Sequence, residues 1–232
     1  MLDSLFINFE NIIVIDVETT GTNPTKDEII EISALRVLNK QGSTFIEEEL
    51  NLLIELAPEM DLPTIITDLT GITKKMLVEE SVSKDEACIK LVGILSYPNS
   101  LLVAYNAQFD LCFLYYFLNH FNETSVLRNL KMLDAMTIYK DRKSYPHKLR
   151  DAAGAYSLSD SNAHRAGDDA LTTFDLLCKM GAEADDLIHY VNLFGYNPKY
   201  GIPKPKISSI NYLPQGYDLS KSLPICRTTE NQ

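Results

Sequence analysis

Asp16 and Glu18 stand two residues apart at the end of the β-branched run NIIVIDV, Asn11 to Val17. In a strand, residues i and i+2 point to one face. Two carboxylates on one face beside Ile13, Val14 and Ile15 would repel each other, and burying them unpaired is costly. A bound divalent cation relieves both problems, and carboxylate oxygens suit Mg²⁺ and Mn²⁺. A strand end running into water would accommodate the same pair without a metal. Asp110 follows the apolar run LLVA (Leu101 to Ala104) and the turn Tyr105-Asn106-Ala107-Gln108, and it opens an apolar helix. It fits a helix N-cap, where Asp is favoured, or a third metal ligand. His164 and Asp169 are five apart, about 140° around an ideal helix, so they cannot share a helix face. That spacing puts His164 on a loop just before a helix and Asp169 in its first turns. Ala166, Ala170, Thr173 and Leu177 flank Asp169 on the side expected to face a sheet, whereas Asp168 lies with Thr172 and Asp175 on the polar side.

Four carboxylates arriving from a strand end, a helix start and a late helix can hold two metal ions about 3.5–4 Å apart, an arrangement suited to phosphodiester hydrolysis. A histidine with a pKa near about 6.5 can accept a proton from water close to neutral pH.

The elements that would position these groups read in order along the chain. Strands are expected at Asn11 to Val17, Ile29 to Leu38 and Thr44 to Leu56. The last two mix apolar and polar residues, which suits an antiparallel hairpin partly open to water. Leu62 to Val78 reads as two short helices broken at Thr70-Gly71-Ile72-Thr73, and Ser83 to Leu95 as a helix with Ala87, Leu91, Ile94 and Leu95 on one face. A buried strand at Leu101 to Ala104, a helix from Phe109 to Phe121, a strand at Leu130 to Leu133 and helices at Lys148 to Tyr156 and Ala166 to Met180 complete the order. Early strands joined by short turns are expected to be antiparallel, and later ones alternating with helices parallel. The result is an α/β fold with a mixed sheet and helices packed on it.

Hydrophobic residues make up 45% of the 232-residue chain, enough for a sizeable core. The net charge of −11 argues against a general coat for duplex nucleic acid, where phosphate contacts dominate, but not against a nuclease whose cations offset its own carboxylates. Cys88, Cys112, Cys178 and Cys226 form no C-x-x-C and suggest a reducing, cytoplasmic setting without disulfides or zinc. The longest apolar stretch, Leu101 to Leu118, is interrupted by Asn106, Gln108 and Asp110, so no membrane association is expected. Composition divides the chain into a domain at 1–182 and a C-terminal extension at 183–232. Residues 196–217 carry four tyrosines, four prolines and Lys199, Lys204 and Lys206. Tyr196, Tyr200 and Tyr212 are expected to cover apolar surface of the domain; stacking on bases, with the lysines on phosphates, is the alternative.

The ordered motifs Asp16-Val17-Glu18-Thr19-Thr20-Gly21, Asn106-Ala107-Gln108-Phe109-Asp110 and His164-Arg165-Ala166-Gly167-Asp168-Asp169-Ala170 resemble the DEDDh exonuclease family, named for four acidic residues and a histidine. The segment Asp68 to Thr73 is similar to the family's segment beside the terminal nucleotide. The resemblance spans roughly residues 10–180. It implies a ribonuclease-H-like mixed five-stranded sheet, three antiparallel strands followed by parallel ones, and a 3′→5′ exonuclease. It assigns two Mg²⁺ or Mn²⁺ ions to Asp16, Glu18, Asp110 and Asp169, and the role of general base to His164. It sets the backbone around Thr19 and Thr20 to hold the substrate's 3′ end, with Asn106 also against the substrate and Leu69 and Ile72 packing on the terminal base. Tyr105 departs from the histidine common in the family at that position. The partner so implied is a nucleic-acid 3′ end, DNA favoured over RNA, in proofreading or repair. The rival readings are an RNA-trimming enzyme, since the motifs do not read the sugar; a silent binding module, against which the five filled chemical positions argue; and a subunit tethered to a DNA polymerase through residues 183–232.

Overall fold

The computed structural model describes residues 2–158 and 165–216. Its centre is strand β1 (Asn11–Thr19), buried on both faces. Alternation sorts its side chains: Ile12 and Val14 enter one apolar core, and Ile13, Ile15 and Val17 the other. Strands β2 (Ile29–Lys40) and β3 (Ser43–Leu53) form an antiparallel hairpin closed at Gln41-Gly42, where both residues have positive φ, 54° and 81°. Such a two-residue turn matches the twist of the strands it joins. Strand β2 is antiparallel to β1, whereas β4 (Ser100–Ala104) and β5 (Lys131–Asp134) continue the sheet in parallel, giving the order β3-β2-β1-β4-β5.

The helices in chain order are α1 (Asp3–Phe6), α2 (Thr64–Thr70), α3 (Lys74–Glu79), α4 (Lys84–Leu95), α5 (Ala107–His120), α6 (Ala135–Arg142), α7 (Leu149–Ala155) and α8 (Ala166–Glu183). Helices α4 and α5 provide the crossovers that parallel strands require. Gly71, at φ 72°, ends α2 in the left-handed conformation favoured at helix C-termini and separates it from α3.

Several features differ from the sequence reading, the short helix α1 among them. The first half of β2 is buried throughout, because both of its faces are covered, Leu35 and Val37 by one core and Ile29, Ile32 and Ala34 by the other; β3 shows the alternation of a half-wet strand. Helix α6 starts directly after β5, where the sequence has no apolar period, because Asp134 caps it by accepting from Met136 N at 3.2 Å. Residues 193–196 and 211–214 form a parallel pair, β6 (Leu193–Tyr196) and β7 (Asn211–Pro214). This segment shares the cores of the rest: Leu187, Tyr190 and Leu193 lie in one, Phe194 and Ile210 in the other. Asn192 also exchanges hydrogen bonds with Met132 of β5, donating to its carbonyl at 2.7 Å and accepting from its amide at 2.8 Å. Tyr212 packs against the core as expected, but Tyr200 is 75% exposed and covers nothing. No helix among the described residues is long and apolar enough to cross a membrane.

Candidate active site

Three of the predicted ligands converge. Asp16 and Glu18 leave the same face of β1, and Asp169 comes from the first turn of α8; each offers a carboxylate oxygen, all within 4.8 Å of one another. Asp168, its neighbour, is exposed. Asp110 is buried beside this cluster, and its Oδ1 accepts from Val17 N at 3.2 Å, between the two strand acids. It is not the cap of α5: the helix starts at Ala107, so Asp110 sits at its fourth position. The cap is supplied by Asp134, whose Oδ1 accepts from Asn106 N at 2.9 Å and Ala107 N at 3.2 Å.

The electrostatics fit a cation. Burial, then the charges of Asp110, Glu18, Asp169 and Glu31, hold the Asp16 carboxyl well above the usual carboxylate range. Burial, then Asp169, Glu31 and Asp110, push Glu18 up to about 8, with Arg165 opposing. Asp110 is raised chiefly by burial, against the stabilising hydrogen bond from Val17 N. The cluster is therefore a set of oxygen donors that protein charge alone leaves uncompensated, and oxygen donors of this kind suit Mg²⁺ or Mn²⁺.

Two acids that the sequence reading missed position the ligands. Glu31, paired across the sheet with Glu18, is buried. It accepts from Arg165 Nε at 3.0 and 3.2 Å, from Arg165 Nη2 at 2.5 Å and from Ala166 N at 3.0 Å. This fork ties the start of α8 to β2, with a carboxylate at the positive end of the helix dipole. The sequence signal was a charge inside the apolar run Ile29-Ile30-Glu31-Ile32; its partner, 134 residues away, was not readable. The second is Asp134, which also accepts from Thr137 Oγ1 at 2.6 Å, and so fixes the starts of α5 and α6 together. Gly167 lets α8 approach β3 closely, since a Cβ there would lie 3.0 Å from Asn51 Oδ1.

The predicted strand contacts divide. Thr19 and Thr20 are buried and spend their groups on the loop itself: Thr19 Oγ1 donates to Gly21 O at 2.6 Å, Thr20 N to Glu28 O at 2.9 Å, and Thr20 Oγ1 accepts from Glu28 N at 2.9 Å. Their hydroxyls thus shape the loop whose backbone is expected to hold the 3′ end. A Cβ at Gly21 would sit 2.5 Å from the Asp27 carboxylate, so a larger residue there would displace the acid that accepts from Asn23 N at 2.7 Å. Leu69 is 51% exposed and available to a base, but Ile72 is wholly buried among Ile30, Leu62 and Leu77 and supports the site from beneath. Asn106 is exposed, with a left-handed backbone at φ 65°. Tyr105 turns inward and donates its hydroxyl to His147 O at 2.8 Å. His164 lies outside the described residues.

The model of the RNase_T family, described as exonuclease, matches residues 13–177. A PolC-type DNA polymerase III of Clostridium perfringens is 36% identical over 201 residues, covering 81% of this chain and 12% of the relative. The 3′-5′ exonuclease DinG of Bacillus subtilis is 33% identical over 172 residues, 72% of this chain and 17% of the relative. The chain thus spans less than a fifth of the length of these relatives. Among solved structures, a complex of Escherichia coli exonuclease I with single-stranded DNA superposes with a TM-score of 0.68 at 18% identity, covering 78% of this chain and 42% of the other. This places the fold in the ribonuclease-H-like class.

Proposed function

This chain belongs to the RNase_T family of exonucleases, and on that premise we propose that it removes single nucleotides from the 3′ ends of single-stranded or frayed DNA. The observation that carries the proposal is the convergence of Asp16, Glu18 and Asp169 within 4.8 Å, with Asp110 docked against Val17 beside them. These four carboxylates would hold two Mg²⁺ or Mn²⁺ ions, which when bound offset the charge of a phosphodiester and acidify a water. The chain's own groups do the rest. His164, five residues before Asp169, takes the proton of the attacking water. Leu69 offers an exposed apolar side chain to the terminal base, and Asn106 a polar one to the strand beside Asp110. Glu31 and Asp134 hold the two helices that carry Asp169 and Asp110.

DNA is favoured over RNA because the relatives are a DNA polymerase and a DinG exonuclease. The same kinship supports a proofreading or repair setting in the cytoplasm, with association with a DNA polymerase as one form of it. The test uses 5′-labelled single-stranded DNA, duplex DNA and RNA of one sequence. A ladder shortened from the 3′ end of DNA is expected. Shortening from the 5′ end would overturn the polarity, and preference for RNA would move the substrate to the rival class.

A further inference from the structure

Residues 187–216 contain Lys199, Lys204 and Lys206 and no Asp or Glu, in a chain whose net charge is −11. The three lysines lie on the loop between β6 and β7, where residues 198–206 are exposed without interruption. Tyr200 is 75% exposed, and Lys199 Nζ stands 5.3 Å from the centre of its ring. Among the described residues none of the three ammonium groups has a carboxylate partner.

The base of this loop is firmly held. Ile207 and Tyr212 pack on the core. Ile207 N donates to the Tyr212 hydroxyl at 3.1 Å, which donates to Gln108 Oε1 at 2.6 Å, and Gln108 Nε2 donates to Pro205 O at 2.7 Å. Gln108 belongs to the first turn of α5, two residues before Asp110 and two after the exposed Asn106. The loop is therefore pinned to the first turn of α5, the helix that carries Asp110.

We infer that this loop binds the single strand 5′ to the nucleotide being removed, an assignment that rests on the 3′-exonuclease reading of the site. Lys199, Lys204 and Lys206 meet backbone phosphates, and the Tyr200 ring stacks on an unpaired base. Charge selects a polyanion, and an exposed ring selects one with open base faces, which duplex stacking hides.

The test is a fluorescence-anisotropy titration of 5′-labelled dT12 and dT3, in an Asp110→Asn background so that the strand survives. Replacing the three lysines with Ala should weaken dT12 and lower the slope of log affinity against log salt by up to about 2, since each phosphate contact on a single strand contributes about 0.7. Tyr200→Ala should weaken dT12 by about 5- to 150-fold, the range one base stack spans. Binding of dT3, with few phosphates and bases to offer the loop, should weaken far less, and dT12 binding by a control with Lys75→Ala and Lys90→Ala should not change. Parent-like dT12 affinity and salt slope in the loop variants would overturn the assignment. So would equal loss of polyglutamate binding with no effect of Tyr200→Ala, which would mark a patch for any polyanion. The two readings fail separately. A parent chain that shortens DNA while its loop variants bind normally loses only the loop. A parent that cleaves nothing, with loop variants that lose dT12, loses only the exonuclease.

Discussion

Asp168 and Asp169 are neighbours in sequence and differ in exposure, and the site depends on which one faces it. Asp169 joins Asp16 and Glu18; Asp168 points to solvent. Asp169→Asn should lower turnover by more than the roughly 10–100-fold typical of a residue that only supports a metal ligand. Asp168→Asn should stay within a few-fold of the parent. Steady-state rates on one DNA substrate decide this, and a reversal of the two effects would reassign the ligand. The clustering of Asp16, Glu18 and Asp169 was legible because its pattern is local: an i, i+2 pair on a strand and an acid in the first turn of one helix. Glu31 and Asp134 were not, because what makes each of them important is a partner far away in the chain, Arg165 in one case and Asn106 in the other. The resemblance of Asp68 to Thr73 implies base contacts for both Leu69 and Ile72, but the turn at Gly71 carries Ile72 into a small core while Leu69 stays exposed.

Helix α8 reaches the cluster through its N-terminal attachment to β2. Glu31→Gln keeps the shape of that attachment but removes the charge that receives the Arg165 fork. Hydrogen bonds to charged groups contribute roughly 1.5–3 kcal/mol, so urea unfolding should show a loss of about that size, with faster amide exchange at residues 166–170 and a 10–100-fold slower enzyme. Unchanged exchange in the first turn of α8 would remove Glu31 from a positioning role. The C-terminal segment makes a second case. Leu187, Tyr190, Leu193, Phe194 and Ile210 sit in the two cores. At about 1.5–3 kcal/mol for each buried large side chain, their loss rivals the roughly 5–15 kcal/mol that stabilises a typical domain. Truncation after Ala182 should therefore abolish the cooperative thermal transition; a truncated chain that melts as sharply as the parent would show that 1–182 folds alone. Sequence located the strands and helices whose period is intrinsic, together with the Gly71 break. It missed α6 and the β6–β7 pair because their stability comes from tertiary partners: the Asp134 cap, and a parallel pairing across the intervening residues 197–210.

At the scale of the molecule, the acid cluster should make stability depend on pH and metal together. Glu18 titrates at about 8 in the folded chain against an ordinary 4.5, and Asp16 is raised as well. Between those values the folded state binds more protons than the unfolded state, so metal-free stability should fall as pH rises from 4.5 to about 8. Cations need the deprotonated acids, so Mg²⁺ or Mn²⁺ should bind more tightly as pH rises through that window, release protons and recover the lost stability. Melting temperatures that are flat with pH in EDTA would contradict the crowding of these carboxylates. The most direct measurement of the central claim is digestion of a 5′-labelled single strand by the parent and by Asp110→Asn, in Mg²⁺, Mn²⁺ and excess EDTA. Asparagine keeps an oxygen to accept from Val17 N, so the variant should fold. The parent should give a ladder shortened from the 3′ end in either metal and nothing in EDTA, and Asp110→Asn should be at least about 100-fold slower, as loss of a metal ligand demands. Robust shortening in excess EDTA, or a parent-like rate in Asp110→Asn, would contradict catalysis by carboxylate-held metal ions.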